Sequence, residues 1–348
     1  MKETFNNNPQ QSNSNLSSRK LSCELIWKTG FNDPLSCVFL SFDSKYAVTA
    51  SKKGDISLLD AGTGAAINSQ NLNTELICAL MDSSTRDVFA FARNSIARIG
   101  ASGGKLWQKN IQTPIIAGAV SQINKNFIIC YEGNKIVIAD YNAVPKYKGA
   151  IDSKGPITSI YAPEHSASFA VVTQAGDVYY MNANGGVIWQ FCINDRLSSV
   201  SMSRDGKIIF AGSTDNKVLC LHGDQKVLFN FELKSPVICT DISEDGKYFA
   251  VGCSDGYIYV LDAGGRTIFY DKPADGVSKV FLTEGAAQIL TLSGGDTVSM
   301  YKICERKTAE EKAQDIAGFI ELGSAAEFKN GVESKNPKKD DFEKFIEL

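Results

Sequence analysis

A pattern of short apolar runs and turns recurs seven times in this chain, at a period near 40 residues. It is clearest between Pro236 and Asp275. Four runs there, Val237 to Ile242, Tyr248 to Cys253, Tyr257 to Leu261 and Arg266 to Tyr270, are separated by Glu244-Asp245-Gly246-Lys247, Ser254-Asp255-Gly256 and Asp262-Ala263-Gly264-Gly265. Asp-Gly and Gly-Gly turns between β-branched and aromatic runs specify hairpins. Equivalent units start at Pro34, Glu75, Pro114, Pro156, Arg196, Pro236 and Gly276, spaced 41, 39, 42, 40, 40 and 40 residues apart. The second residue of each unit is apolar: Leu35, Leu76, Ile115, Ile157, Leu197, Val237 and Val277. The fourth is small in six (Cys37, Cys78, Ala117, Ser159, Ser199, Cys239), and Lys279 breaks the column.

A four-stranded meander cannot bury both faces alone, so each unit needs neighbours of its own kind. Four strands per roughly 40 residues is the mark of a β-propeller blade. The expected fold is therefore all-β, a seven-bladed β-propeller of four-stranded blades. The seventh unit has only three runs, Val277 to Leu282, Gln288 to Leu292 and Thr297 to Ile303. The missing one precedes the first unit: Cys23 to Thr29 carries Leu25-Ile26-Trp27, which matches Lys105-Leu106-Trp107 and Val187-Ile188-Trp189 of fourth runs. This strand is expected to close the ring as the outer strand of the last blade, removing an open sheet edge. The organisation is then a polar arm (1–20) rich in Asn, Ser and Gln, too poor in apolar residues to order by burial, a propeller (21–303), and a helical or linker tail (304–348).

The repeats resemble the WD-repeat and pyrroloquinoline-quinone-type propeller superfamily over about residues 23 to 303. Asp255-Gly256 followed by Tyr257-Ile258-Tyr259-Val260-Leu261-Asp262 is similar to the third strand of a WD repeat, whereas Gly104-Lys105-Leu106-Trp107 and Gly186-Val187-Ile188-Trp189 are closer to the quinoprotein type. The chain departs from the WD pattern. It has no Trp-Asp dipeptide, no Gly-His before a first strand and two histidines in all, so the hydrogen-bonded tetrad of ordinary WD repeats cannot form as such. The quinoprotein resemblance implies a calcium site, a catalytic aspartate, often adjacent cysteines, and export. No Cys-Cys dipeptide occurs, and Met1 to Lys20 lacks the apolar core of a secretory signal. The reading is therefore a non-enzymatic platform for other proteins, cytoplasmic and without a cofactor. A ligand-binding or quinoprotein-like use of the central channel is the alternative.

Charge supports that reading. Residues 304–348 hold 8 basic and 11 acidic residues, and the remainder is balanced at 28 of each. A chain without net charge outside its tail is not built for bulk attraction to nucleic acid. Nine cysteines, an odd number lying mostly in runs and forming no Cys-x-x-Cys pair, read as small buried side chains in a reducing compartment. No stretch approaches the ~20 apolar residues that span a bilayer.

Several residues are candidates for partner contact. Lys52 and Lys53, and Arg93, occupy equivalent turns of adjacent blades and would form a basic rim patch for an acidic partner. Lys279, on the innermost strand, must reach solvent or a carboxylate, for which Asp241 is the candidate. In the tail, Thr308-Ala309-Glu310-Glu311 fits a capping box, and Ile316 and Ile320 fall at helical spacing behind it. Phe342, Phe345 and Ile346 would share one face of a last short helix. These apolar positions would pack on the propeller or dock in a groove of another protein. Trp27, Trp107 and Trp189, with Phe229 and Phe269, repeat at one place in the fourth run and are expected to wedge between blades. Pro145 fits only an outer strand. His165 and His222, in different blades and without a companion at ligand spacing, are not expected to hold a metal.

Overall fold

The computed structural model describes residues 21–273 and 275–305. Seven four-stranded antiparallel sheets account for them. In blades one to six the chain runs through four consecutive strands, as in blade six: Val237–Ile242, Tyr248–Cys253, Ile258–Asp262 and Thr267–Asp271. Blade seven takes Lys279–Leu282, Gln288–Ser293 and Thr297–Glu305, and its outer strand is Leu21–Gly30, from the start of the chain. The expected closure is thus present. The closing strands are longer than the sequence indicated, reaching Leu21 and Gly30 on one side and Glu305 on the other. The polar arm, Ile316, Ile320, Phe342, Phe345 and Ile346 lie outside the described residues.

The first strands of blades one to six open with the same irregularity. The pairing shifts between Leu35 and Cys37, and likewise between Leu76 and Cys78, Ile115 and Ala117, Ile157 and Ser159, Leu197 and Ser199, and Val237 and Cys239. One extra residue bends the strand there and turns its third residue out of the ladder. In three of these six blades that residue carries a hydroxyl bonded to backbone. Ser36 donates to the Ala50 carbonyl, at 3.0 Å. Ser198 reaches Gly212 of its own blade at 3.1 Å and Val237 of the next at 2.7 Å. Thr158 likewise reaches Val172 at 3.2 Å and Leu197 at 2.9 Å.

The aromatic wedge is also present. Trp27, Trp107 and Trp189 donate their indole N–H to Ala61, Tyr141 and Gly223, each 34 residues on in the following blade, at 2.8, 3.0 and 2.8 Å. The ring lies against the receiving turn: a methyl group on Gly64, where φ is +71°, would sit 2.5 Å from the Trp27 ring. Glycine is required there by both φ and space. Pro145 begins the outer strand Pro145–Ala150, where its missing N–H breaks no ladder. The cores are interblade clusters; one joins Trp27, Val38 and Leu59 of the ring's beginning to Leu290, Val298 and Met300 of its end.

Candidate functional site

The propeller offers two rims and the channel between them. Connections between second and third strands form one rim, here the outer-turn rim. Connections between first and second strands, and between third and fourth, form the opposite one, here the inner-turn rim. Leu21 starts its strand, and Glu305 ends its own, at the inner-turn rim.

Lys52, Lys53 and Arg93 stand exposed on the outer-turn rim, as expected. The patch is not free charge, however. Lys53 pairs with Asp33, and Arg93 lies 3.6 Å from Glu132 of the next blade. Each basic group except Lys52 is matched by a carboxylate beside it.

The inner-turn rim is built differently, and the turn chemistry explains it. In Ser203-Arg204-Asp205-Gly206-Lys207 the Ser203 hydroxyl donates to Asp205 at 2.8 Å and accepts the Ile208 N–H at 3.0 Å, while Asp205 accepts the Lys207 N–H at 3.0 Å. Ser243, Asp245, Lys247 and Tyr248 repeat these bonds. The self-bonded turn fixes the residue after the serine, which is Arg204 in one blade and Glu244 in the next. Arg204 then bridges three blades: its Nε is 2.6 Å from Glu164, and its Nη1 donates to Glu244 at 2.9 Å. Burial, with the negative charges of Glu284, Glu164 and Asp43, holds the Glu244 carboxyl above the usual range against the pull of Arg204. Two carboxylates, Glu164 and Glu244, thus share one guanidinium at this mouth of the channel, and the charges of Glu284 and Asp43 act on Glu244 beside it.

Between blades two and three, a second network reaches inward. Asp82, whose side chain is wholly buried, accepts from Lys125 Nζ at 2.8 Å, the Tyr141 hydroxyl at 2.6 Å and the Ser84 hydroxyl at 2.6 Å. Burial pushes its carboxyl up, but these bonds outweigh burial and hold it below the usual range. The same bond, with burial, drives the Tyr141 hydroxyl far upward. Arg98 completes the junction, donating to Asp87 at 2.8 Å and to the Tyr141 carbonyl at 3.1 Å, with its guanidinium 5.2 Å from the Tyr141 ring centre.

The channel is lined by first-strand residues and encloses about 240 Å³. Lys279 lines it, half-buried, but the expected pair with Asp241 does not form. Asp241 is buried and accepts the Leu282 backbone N–H at 2.7 Å. Burial raises its carboxyl to about 7. The carboxyl satisfies a backbone donor across the blade junction, so it is not aimed at the lysine. Both histidines have a carboxylate close by in sequence, His165 beside Glu164 at 3.8 Å and His222 beside Asp224 at 2.8 Å. Among the described residues no group of three His, Cys, Asp or Glu side chains is placed to hold a metal.

Seven sheets, ring closure and repeated interblade wedges decide the class. The chain is a seven-bladed β-propeller of four-stranded blades. Residues 174–307 match the family described as outer membrane protein assembly factor BamB. The β-propeller domain of Cps50 (Swd1) from Myceliophteria thermophila superposes with a TM-score of 0.71 at 11% identity, covering 81% of this propeller chain and all of that one. Raptor from Chaetomium thermophilum superposes with a TM-score of 0.72 at 13% identity, covering 84% of this chain and 30% of that one. No curated protein matches the sequence. Among the described residues, no helix is long and apolar enough to cross a membrane.

The Arg204 bridge was missed in the sequence although its signal was present. Arg204 and Glu244 are opposite charges at the same turn position, 40 residues apart, in blades that must be adjacent. The Asp82 network had no such signal, since Tyr141 and Lys125 sit at unlike turn positions.

Proposed function

We propose that this propeller is a non-enzymatic platform for protein partners, and that the inner-turn rim is its principal contact face. The observation that carries the reading is the Glu164–Arg204–Glu244 bridge. It holds an acid-rich surface rigid across three blades, with half-buried Asp43 and exposed Glu284 beside it. A preordered surface loses little entropy on binding, and its charge selects a basic segment of a partner. The matched family's description, an assembly factor, accords with a role in holding proteins together. A docking role for the segments carrying Ile316, Ile320, Phe342, Phe345 and Ile346, which follow Glu305 in the sequence, belongs to the same proposal. The unbridged, buried thiols of Cys37, Cys130, Cys220, Cys239 and Cys253 accord with a reducing, cytoplasmic setting, although Cys192 is exposed rather than buried.

The test is affinity capture from native extract with mass spectrometry, using the full chain and a version ending at Glu305. Partners crosslinked to inner-turn residues and kept on truncation are the expected result for the rim. Partners lost on truncation would assign binding to the tail alone. Capture of nothing by either would overturn the platform reading.

A further inference from the structure

The central channel has the features of a small-molecule site, and these do not depend on the platform reading. Its shape follows from the strand pattern. At the fourth position of the first strands the side chains are Cys37, Cys78, Ala117, Ser159, Ser199, Cys239 and Lys279, so six small residues leave room that one lysine does not fill. Two residues further along, three of the blades carry an aromatic ring, Phe39, Tyr161 and Phe281. Phe281, Phe39, Phe42 and Tyr161 form a chain of edge-to-face rings with centroids 6.1, 5.9 and 6.4 Å apart. That chain makes an aromatic floor on the inner-turn side. Towards the other mouth, Ser36, Ile77, Ile116, Thr158, Ser198 and Ile238 are all half-exposed, so the channel opens there.

Polar groups in this funnel are mostly committed. The Ser36 and Thr158 hydroxyls donate to backbone carbonyls, and Ser199 pairs with Thr240 at 3.1 Å. The Cys37 thiol receives the Ala79 N–H at 3.1 Å, and Asp241 receives that of Leu282. Lys279 differs: among the described residues no acceptor or carboxylate engages its ammonium, and its charge acts on the thiols of Cys37, Cys78 and Cys239 across the channel. An unpaired ammonium with three donors, among hydroxyls already committed to other acceptors, calls for an anion.

We propose that the channel binds a small monocarboxylic acid, with its carboxylate on Lys279 and an aromatic or branched apolar body on the Phe281–Phe39–Phe42–Tyr161 floor. Among the described residues, Lys279 is the one cation in the channel lining and matches one negative charge, and a second charge on the ligand would be desolvated without a partner. A volume of about 240 Å³ is metabolite-sized, below the ~300 to 1,000 Å³ of drug-binding pockets.

Phenylacetate and its neutral isostere phenylacetamide test this by isothermal titration on the full chain. Phenylacetate is expected to bind with a Kd on the order of 0.1 to 1 mM, the range open to ligands of about ten heavy atoms. The amide is expected to bind at least tenfold more weakly. Lys279→Met should lose acid binding at least tenfold while its melting temperature stays level or rises, because a lone charge is replaced by an apolar side chain of similar length. Lys279→Glu should reverse the preference and take phenethylamine. Equal binding of acid and amide, full affinity in Lys279→Met, or no binding of phenylacetate at roughly 10 mM would each overturn the proposal.

Discussion

The two rims of this propeller use the same kinds of residue to different ends. On the outer-turn rim, charges pair singly and in water: Lys53 with Asp33, Arg93 with Glu132, Lys28 with Asp275 at 2.9 Å. The inner-turn rim has single exposed pairs too, such as Lys207 with Asp205, but its Asp82–Lys125–Tyr141 and Glu164–Arg204–Glu244 networks share charge across blade junctions and are partly withdrawn from water. Exposed pairs contribute ~0 to 1 kcal/mol, whereas removing one partner of a buried pair costs ~3 to 5 kcal/mol. These two junctions of the inner-turn rim should therefore behave as part of the core, and the outer-turn pairs as solvated surface.

The largest effect is expected at Asp82. Asp82→Ala strands the Tyr141 hydroxyl at a buried junction and unpairs the half-exposed Lys125, and should destabilise by about 3 kcal/mol in chemical denaturation. A loss below about 1 kcal/mol would place this junction with the outer-turn pairs. Trp189→Ala should come close behind, at about 2 to 3 kcal/mol, since it removes a half-buried wedge and the bond to Gly223. Arg204→Met should cost about 2 kcal/mol by leaving Glu164 and Glu244 to repel each other. Lys53→Ala and Arg93→Ala should each change stability by no more than about 0.5 kcal/mol. If they cost as much as Arg204→Met, the contrast between rims fails.

Acidity provides a separate test, because two buried carboxyls have opposite signs. The folded state holds Asp82 below its ordinary value, so its contribution is full above that value and is lost as pH falls through the folded pKa. The folded state raises Asp241 to about 7, so the fold binds that proton more tightly than the unfolded chain does. Stability from Asp241 therefore declines as pH rises from the ordinary carboxylate range to about 7, and is level above it. Asp241→Asn keeps an acceptor for the Leu282 N–H. It should match the native protein near pH 4 and exceed it in melting temperature at pH 8.

What the sequence disclosed follows from what repeats. The blade boundaries, the closing strand at Trp27 and the wedge column were legible because each recurs at the same position in several units. Lys53 and Arg93 were legible as exposed turn residues, but Asp33 and Glu132 were not seen as their partners, because each lies outside the turn that carries the cation. Lys279 stood out by breaking its column. Its failure to pair with Asp241 was hidden, because the competing group is the backbone N–H of Leu282, which no residue type announces. The aromatic floor escaped notice because Phe42 belongs to a turn and only the ring's curvature brings it to Tyr161 of blade four.

The account's central claim is that partners meet the inner-turn rim. It is tested most directly by quantitative capture from native extract with the full chain, Glu284→Lys and Lys52→Glu, each checked for an unchanged melting temperature. Both residues are exposed turn positions, one on each rim. The account predicts that Glu284→Lys loses most of the captured partner and Lys52→Glu retains it. Retention by Glu284→Lys together with loss in Lys52→Glu would contradict it and move the contact face to the opposite rim.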